Sequence, residues 1–422
     1  MPSKALLASA RLAHAMRNAE SLGLKGAAPT QVFCSVMERM RQARARVAHH
    51  DDPERFRKMG VHVHFGTARF IGADTVDVEG VGTLKSKRII VATGARPAIP
   101  PIQGLEEAGY QTHETIFDLE RHPSRLGILG GGPIGLEFSQ VFSRLGSEVV
   151  VLEMLDRILP SEDPDVAEAL LGILRREGID IELGSRVVGV QVEGAGKVIL
   201  TEDGRRFPVD EILVATGRQP STGGLDLERA GIERDGTAIR VDSTLRTTNR
   251  GVWAAGDVTG GLQFTHVADY MAKTALRNAL LPLSAHVDYN RVPWVTYTDP
   301  EVAHVGLSAA EASARGAKTY TSDFDDLDRA ITDAQTLGFV KISADRKGRI
   351  LGATILGHGA GELLQPIVLA MTHGLPLSKI ADTIFPYPTM VEGVKRAANA
   401  YQRARLEGPA GRVLKKVVSW LT

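Results

Sequence analysis

A glycine-rich turn separates a short apolar run from a helix-forming segment at residues 126–137, which read LGILGGGPIGLE. The pattern G-x-G-x-x-G falls on Gly130, Gly132 and Gly135. Glycines at these positions permit a tight turn and let the backbone approach a pyrophosphate, which the N-terminus of the following helix stabilises. The stretch therefore predicts the strand, turn and helix of a dinucleotide-binding unit.

A second strand follows this helix and ends at an acidic residue. Residues 148–152 read EVVVL, and Glu153 comes 23 positions after Gly130, close to the roughly 20 expected for a dinucleotide fold. A carboxylate at this point accepts hydrogen bonds from both ribose hydroxyls and repels a 2′-phosphate, which favours NADH over NADPH. The competing interpretation is a solvated Glu153, with Arg157 reaching a phosphate.

A nine-residue segment recurs in the chain. Residues 89–97 read IIVATGARP, and residues 212–220, which begin 123 positions later, read ILVATGRQP. Each copy is a β-branched run closed by Thr-Gly, which is typical of a buried strand that ends in a tight turn. The repeat predicts two related α/β units.

The first of these units lacks its own glycine fingerprint. Gly132 precedes Gly217 by 85 residues, and the same distance before Gly94 reaches residue 9, in a stretch without glycine. Residues 3–21 instead have the start chemistry and the one-sided apolar pattern of a helix. We therefore expect the beginning of this unit to lie outside the chain.

The composition excludes several classes of protein. The 422 residues are enough for about two to four domains. Basic and acidic residues both number 50, and a net charge of zero argues against a nucleic-acid binder that uses a broad basic surface. No apolar run approaches the about 18 residues that span a bilayer. We expect a cytoplasmic multidomain protein.

Cys34 is the single cysteine, which excludes an intramolecular disulfide and a cysteine-based zinc site. It lies on a predicted helix among apolar residues, so we expect a small packed thiol. His62 and His64 alternate on a predicted strand without a third ligand, and no metal site is predicted. Residues 413–421 form an amphipathic segment, which we interpret first as a packing helix and second as a membrane contact.

Several landmarks occur in a fixed order along the chain. They are PSKALL at residues 2–7, ATG at 92–94, the fingerprint at 130–137, AAGDV at 254–258 and FPYPTMVEGVK at 385–395. Together they resemble the pyridine nucleotide–disulfide oxidoreductases, which include dihydrolipoamide dehydrogenase, glutathione reductase and mercuric reductase. The resemblance covers essentially the whole chain, and residues 385–395 look most like the mercuric-reductase branch.

The resemblance implies an α/β fold with two Rossmann-like dinucleotide-binding domains, one for FAD and one for NAD(P), and a C-terminal α+β dimerisation domain. It implies a homodimer that uses FAD and NAD(P)H and exchanges electrons with a small molecule. The expected domains are an FAD domain at 1–122 that is incomplete at its N-terminus, an NAD(P) domain at 123–243, a return segment of the FAD domain at 244–284 and a dimerisation domain at 285–422.

The resemblance also implies site residues. Lys4 and Glu137 correspond to a pair beside flavin N5, where an ammonium favours negative charge on the reduced ring; the alternative is two unconnected surface charges. Asp257 corresponds to the acceptor of a ribityl hydroxyl, and the alternative is an N-cap aspartate. The implied FAD contacts are Lys4, Ala68, Thr93, Gly94, Ala95, Asp257, Gln263, Phe264, Thr265 and His266. The implied NAD(P) contacts are Gly130, Gly131, Gly132, Pro133, Ile134, Gly135, Glu137, Glu153, Gly217 and Arg218.

Tyr387 and Glu392 occupy the positions of the family's catalytic His–Glu pair. Tyrosine has a reference pKa near about 10, so Tyr387 is a poor base at neutral pH, although it can donate a hydrogen bond or approach a metal. This pattern is similar to the mercuric branch, whose members end in a cysteine pair, whereas this chain ends in SWLT. The alternative role for Tyr387 is packing at a dimer seam.

In the family, Pro-Ser-Lys directly follows the second cysteine of a C-x-x-x-x-C redox pair, and neither cysteine occurs in these 422 residues. We expect a shortened start in preference to a naturally short protein. Three hypotheses follow. The chain is an FAD-dependent NAD(P)H oxidoreductase of the disulfide reductase family, a flavin reductase that serves a quinone, oxygen or dye without a disulfide, or a non-catalytic dinucleotide-binding fragment.

Overall fold

The structure, a computed structural model, describes residues 1–27, 33–194, 196–282, 284–408 and 420. The segment predicted as a packing helix at residues 413–421 lies outside the described residues, except for residue 420. The α-helices are Pro2–Arg17, Phe33–Ala48, Pro53–Lys58, Leu105–Ala108, Pro133–Arg144, Pro164–Arg176, Thr265–Leu280, Ala309–Ala314, Asp328–Thr332, Ala360–Leu363, Gln365–Thr372, Leu377–Asp382 and Glu392–Glu407.

The β-strands alternate with helices at residues 125–182 and follow one another without an α-helix at residues 68–97 and 187–239. They are Ala68–Gly72, Thr75–Val78, Gly82–Lys85, Ile89–Val91, Ala95–Pro97, Arg125–Leu129, Glu148–Leu152, Asp180–Glu182, Val187–Glu193, Gly196–Thr201, Arg206–Val209, Glu211–Val214, Arg218–Pro220, Arg234–Asp235, Ala238–Ile239, Val252–Ala254, Pro293–Thr296, Glu301–Gly306, Lys318–Asp323, Phe339–Ala344 and Ile350–Gly357. No described helix is both long and apolar enough to cross a membrane.

The chain forms two compact units. The first contains residues 1–40, 101–215 and 290–422, and the second contains residues 41–100 and 216–289. The predicted domain boundaries at residues 122, 243 and 284 stay predictions.

A four-stranded parallel sheet lies in the first unit. Its strand order is Glu211–Val214, Arg125–Leu129, Glu148–Leu152 and Asp180–Glu182. Parallel neighbours need crossover connections, which the helices Pro133–Arg144 and Pro164–Arg176 supply. Leu126, Ile128 and Val151 are fully buried between the sheet and these helices, as the continuous apolar runs of parallel strands require.

A five-stranded antiparallel sheet also lies in the first unit. Its strand order is Pro293–Thr296, Glu301–Gly306, Ile350–Gly357, Phe339–Ala344 and Lys318–Asp323. The helix Glu392–Glu407 packs on this sheet through Val394, Ala397 and the fully buried Tyr401. The alternation of strands and helices before residue 215 and the antiparallel sheet after residue 290 confirm the predicted α/β class with an α+β C-terminal part.

The second unit contains smaller sheets. Val252–Ala254 pairs in parallel with Ile89–Val91, and among the described residues this sheet has no third strand. An antiparallel meander covers residues 68–85. The helix Thr265–Leu280 follows the segment that contains Asp257.

Two local predictions were wrong. Cys34 is exposed on the helix Phe33–Ala48, because that helix buries Phe33, Met37 and Met40 and turns position 34 to another side. His62 and His64 lie outside any strand. Alternation over three residues is too short a pattern to specify a strand without partners for its backbone.

A buried arginine joins three segments of the first unit. Arg144, at the end of the helix Pro133–Arg144, is 4% exposed and pairs with Glu177 at 2.8 Å and with Asp299 at 2.7 Å. Burial by itself raises the pKa of Asp299, but the charge and the hydrogen bond of Arg144 outweigh it and hold that pKa below its ordinary value. Arg144 therefore ties the parallel sheet's helices to the turn that precedes the antiparallel strand Glu301–Gly306.

Replacing this arginine should destabilise the first unit strongly. In Arg144→Met two largely buried carboxylates lose their partner, so we expect the free energy of unfolding at pH 7 to fall by about 3 kcal/mol. Urea unfolding followed by circular dichroism measures the change. Arg206→Met is the matched control, because the pair of Arg206 with Glu193 is about half exposed and should be worth no more than about 1 kcal/mol.

The pH dependence of the free energy of unfolding should distinguish the loss of the Arg144–Asp299 charge pair from a loss of packing. The folded pKa of Asp299 lies below the unfolded one, so its contribution is complete above the unfolded value of about 3.9 and is lost as the pH falls through the folded value. In Arg144→Met burial, the largest influence on Asp299, remains with the weaker charges of Arg11 and His358, so the pKa of Asp299 should rise and its contribution at neutral pH should shrink. If the free energies of unfolding of the wild type and of Arg144→Met fall equally on acidification, this account is contradicted.

Candidate functional site

The glycine fingerprint forms a tight turn at the start of the helix Pro133–Arg144. Gly130 has a φ of 108°, in the left-handed region that favours glycine. A Cβ on Gly135 would lie 2.0 Å from the carbonyl oxygen of Gly130, so only glycine lets the helix approach the strand this closely. Pro133 occupies the first turn, and Gly132 provides no side-chain cap. The helix N-terminus is therefore available for an anion such as a pyrophosphate.

Glu153 lies beside this turn with its carboxylate already oriented. It is buried, its Oε2 accepts a hydrogen bond from the Gly131 N–H at 2.6 Å, and its Oε1 accepts one from the Leu155 N–H at 2.8 Å. Arg157 donates from Nη2 to the carbonyl of Pro160 at 2.8 Å. The structure thus holds the predicted ribose acceptor at the turn and gives the guanidinium of Arg157 another partner.

Lys4 and Glu137 are in contact, although 133 positions separate them. Lys4 Nζ lies 2.6 Å from Glu137 Oε2. The side chain of Glu137 is 8% exposed and that of Lys4 is 38% exposed, so the pair lies where the helix Pro2–Arg17 leaves the first unit's core. The other oxygen, Oε1, accepts the backbone N–H of Tyr297 at 3.0 Å. Glu137 is therefore fully paired while the ammonium keeps access to a ligand.

In the second unit, the ends of the two repeated segments pair with each other. Ala95–Pro97 and Arg218–Pro220 form an antiparallel ladder, with Pro220 opposite Ala95. The hydroxyl of Thr93 donates to the carbonyl of Ser221 at 2.8 Å. Gly94 has a φ of 70°, and a Cβ on it would meet nothing within 4 Å, which leaves room for a ligand to approach the backbone.

Asp257 and Arg218 form an ion pair in the second unit. Arg218 Nη1 lies 2.8 Å from Asp257 Oδ2, and its Nη2 donates to the carbonyl of Gln263. This leaves Asp257 Oδ1 without a hydrogen-bond partner among the described residues. The pairing joins a residue expected to contact FAD to one expected to contact NAD(P).

The next helix begins without a side-chain cap. Phe264 precedes Thr265–Leu280 and supplies no side-chain cap, and the rings of Phe264 and His266 stack with centroids 5.5 Å apart. Ala68 opens the strand Ala68–Gly72 and is half-buried. An open backbone at Gly94, a spare oxygen on Asp257 and an uncapped helix suit the phosphate, ribityl and pyrimidine groups of FAD.

Tyr387 and Glu392 do not bond to each other. Tyr387 is 70% exposed and donates its hydroxyl to Asp328 Oδ2 at 2.8 Å, which raises the pKa of Tyr387 and, from the other side of the bond, lowers the pKa of Asp328. Arg396 lies 3.2 Å from Asp328 Oδ1. Glu392 Oε2 is buried without a hydrogen-bond partner in the described part of the chain. Tyr387 is therefore a hydrogen-bond donor at neutral pH.

Sequence reasoning missed Asp328 and Tyr297. Asp328 lies in a run of acidic residues that carries no spacing signal for a tyrosine 59 positions later. Tyr297 is in the segment WVTYTDPE at 294–301, but nothing in that segment points to Lys4. Both contacts become visible only when the chain is folded.

Comparison with known proteins agrees with this geometry. Residues 1–272 match the family model of the pyridine nucleotide-disulphide oxidoreductases, and residues 292–398 match the dimerisation domain of that family, which supports a homodimer. Mercuric reductase of Lysinibacillus sphaericus is 34% identical over 410 residues, which cover 96% of this chain and 75% of that protein.

Two solved structures are similar over nearly the full length. The Cu(II) complex of the HOCl-induced flavoprotein disulfide reductase RclA from Escherichia coli has a TM-score of 0.82 and 31% identity, and the match covers 93% of this chain and 88% of that one. LpdA from Mycobacterium tuberculosis has a TM-score of 0.86 and 29% identity, with 94% and 89% covered. The chain belongs to the pyridine nucleotide-disulphide oxidoreductase family and is an FAD-dependent NAD(P)H oxidoreductase of that family.

Proposed function

We propose that the chain moves a hydride from NADH to FAD beside the Lys4–Glu137 pair and passes the electrons to a small-molecule acceptor, as a cytoplasmic homodimer. The observation that carries this proposal is the 2.6 Å contact between Lys4 Nζ and Glu137 Oε2. FAD, when bound, accepts the hydride and can release electrons singly or in pairs. The residues that would hold it are the predicted contacts around Gly94, Asp257 and the start of the helix Thr265–Leu280.

The protein's part in this chemistry is electrostatic. A positive charge held in a fixed position stabilises negative charge that develops on a neighbouring group, and it does so without reorganisation during the reaction. Glu137 holds Lys4 in place through the ion pair, and the backbone N–H of Tyr297 holds Glu137. Glu137 is buried, whereas the side chain of Lys4 is 38% exposed, so the ammonium is accessible from solvent.

The choice of NADH depends on Glu153. Its two oxygens are oriented by the N–H groups of Gly131 and Leu155, and each oxygen keeps a lone pair for a ribose hydroxyl. A 2′-phosphate placed there would face a buried negative charge. Arg157, the alternative partner of a phosphate, has one of its N–H groups bonded to the carbonyl of Pro160.

The electron acceptor is inferred from the chain's one cysteine and from the names of the similar proteins. The single cysteine, Cys34, is exposed and lies in the helix Phe33–Ala48. The similar proteins are named as mercuric reductases and as a flavoprotein disulfide reductase, solved in one case as a Cu(II) complex. We therefore propose a small oxidant that takes electrons from the flavin, to be sought among disulfides, Hg(II), Cu(II), quinones, oxygen and dyes.

The function is tested first by the visible spectrum of the purified chain after loading with FAD and desalting. We expect a retained flavin band that NADH bleaches without air. Lys4→Met should slow the bleaching at least about tenfold, which corresponds to about 1.4 kcal/mol, whereas Lys347→Met should not, because Lys347 is exposed in a surface turn. A colourless protein, or equal bleaching rates for both variants, would contradict the proposal.

The close approach at the fingerprint provides a second prediction. In Gly135→Ala the new methyl group meets the carbonyl oxygen of Gly130, so the turn must open, and the dissociation constant for NADH should rise at least about tenfold. Quenching of the flavin-free protein's fluorescence by NADH measures it. Gly172→Ala is the control, because a Cβ there would find its nearest neighbour, Arg176 Nη1, at 3.5 Å. Unchanged affinity in Gly135→Ala would refute the close-approach argument.

The role of Glu153 predicts a change in nucleotide preference. Glu153→Gln removes the charge that opposes a 2′-phosphate, so kcat/KM for NADPH relative to NADH should rise about tenfold. Asp156→Asn removes an exposed charge from the same loop and should leave the ratio unchanged. Steady-state rates with the two nucleotides and one dye measure this ratio. A wild-type chain that prefers NADPH would contradict the proposed role of Glu153.

A further inference from the structure

One face of the helix Pro133–Arg144 binds residues 297–299, the segment that precedes the strand Glu301–Gly306. Glu137, Gln140 and Arg144 follow one another at the spacing of successive helical turns. Glu137 accepts the backbone N–H of Tyr297 at 3.0 Å. Gln140 exchanges two hydrogen bonds with the backbone of Asp299, at 2.7 and 2.9 Å.

The same segment is held from its other end. Arg144 bonds to the carboxylate of Asp299 at 2.7 Å, and Arg11 pairs with Glu301 at 2.8 Å. Arg11 and Lys4 are seven positions apart, two turns along the helix Pro2–Arg17. The backbone at Tyr297 is therefore fixed relative to both helices that provide the Lys4–Glu137 pair.

This anchoring places an aromatic ring on the ammonium. Lys4 Nζ lies 4.3 Å from the centroid of the Tyr297 ring, within the distance at which a cation is attracted to an aromatic face. The ammonium thus has two partners, the carboxylate of Glu137 at 2.6 Å and the ring of Tyr297. A lysine side chain that is 38% exposed would otherwise be free to turn its charge into water.

The contribution of the ring is separable from that of the backbone. The hydrogen bond from Tyr297 to Glu137 uses the peptide N–H and survives any substitution except proline. The ring alone covers the ammonium, and a phenylalanine ring would cover it in the same way. The side chain is part-exposed, so its replacement leaves no cavity in the core.

We propose that Tyr297 is a positioning residue, whose ring holds the Lys4 ammonium against Glu137 so that the charge stays where the flavin requires it. The inference rests on the proposed function, because it takes Lys4 to act beside the flavin. Tyr297 touches neither the nicotinamide nor the flavin in this account and acts through Lys4.

The contact between the Tyr297 ring and the Lys4 side chain is tested on the protein without flavin. The chain is labelled with ¹³C at the ε-carbon of lysine, and the Lys4 resonance is assigned by its loss in Lys4→Arg. We expect an upfield ring-current displacement of the Lys4 ε-CH₂ protons in the wild type and in Tyr297→Phe, and its loss in Tyr297→Leu. An undisplaced Lys4 signal in the wild type would overturn the inference.

The effect of the Tyr297 ring on flavin reduction is tested on the FAD-loaded protein. Tyr297→Leu should slow reduction by NADH about two- to fivefold, the range expected for a part-exposed cation–π contact, and should make the flavin midpoint potential more negative, while Tyr297→Phe should match the wild type in both. Tyr297→Leu with wild-type potential and rate would overturn this inference alone, provided that Lys4→Met lowers both. If Lys4→Met changes neither quantity, the proposed function fails and the inference fails with it.

Discussion

A charged side chain that is withdrawn from water must be paired, and this constraint organises the first unit around the helix Pro133–Arg144. The helix carries two buried charges, Glu137 and Arg144. Lys4 neutralises the first, while Glu177 and Asp299 neutralise the second. These partners come from three other segments of the chain. Burying two charges in one helix therefore determines which segments must lie on it.

The same helix begins at the nucleotide fingerprint, so the structural requirement and the functional one meet in one element. Its N-terminus has no side-chain cap at the glycine turn, and one turn later Glu137 accepts the ammonium of Lys4. The proposed pyrophosphate site at the helix start and the charged lysine beside Glu137 are thus at a fixed spacing. Glu153, after the next strand, is also buried and paired, since two backbone N–H groups hold its carboxylate where we propose a ribose to bind.

The hydrogen bond of Tyr387 in the C-terminal segment differs from the pairing that the resemblance to the family implies. Tyr387 stands where the family has a histidine, and it bonds to Asp328 instead of Glu392. That bond raises the pKa of Tyr387, so the phenol keeps its proton at neutral pH. Because its one hydroxyl proton is donated to Asp328, the phenol offers only oxygen lone pairs to a further group, and it does not remove a proton from a thiol.

The amino-acid sequence by itself determined the glycine turn, the strand and helix around it and the acidic residue after the next strand. These features are local, because they depend on backbone freedom and on apolar period within about 25 residues. The Lys4–Glu137 pair was reached only through the order of landmarks along the whole chain. The ring of Tyr297 over Lys4 and the bond from Tyr387 to Asp328 were decided by the tertiary structure alone. They join residues far apart in sequence, and their contact depends on which faces of helices and strands are buried together. The exposure of Cys34 has the same cause: its apolar neighbours predict a helix, but only packing against the rest of the unit selects the side that is turned inward.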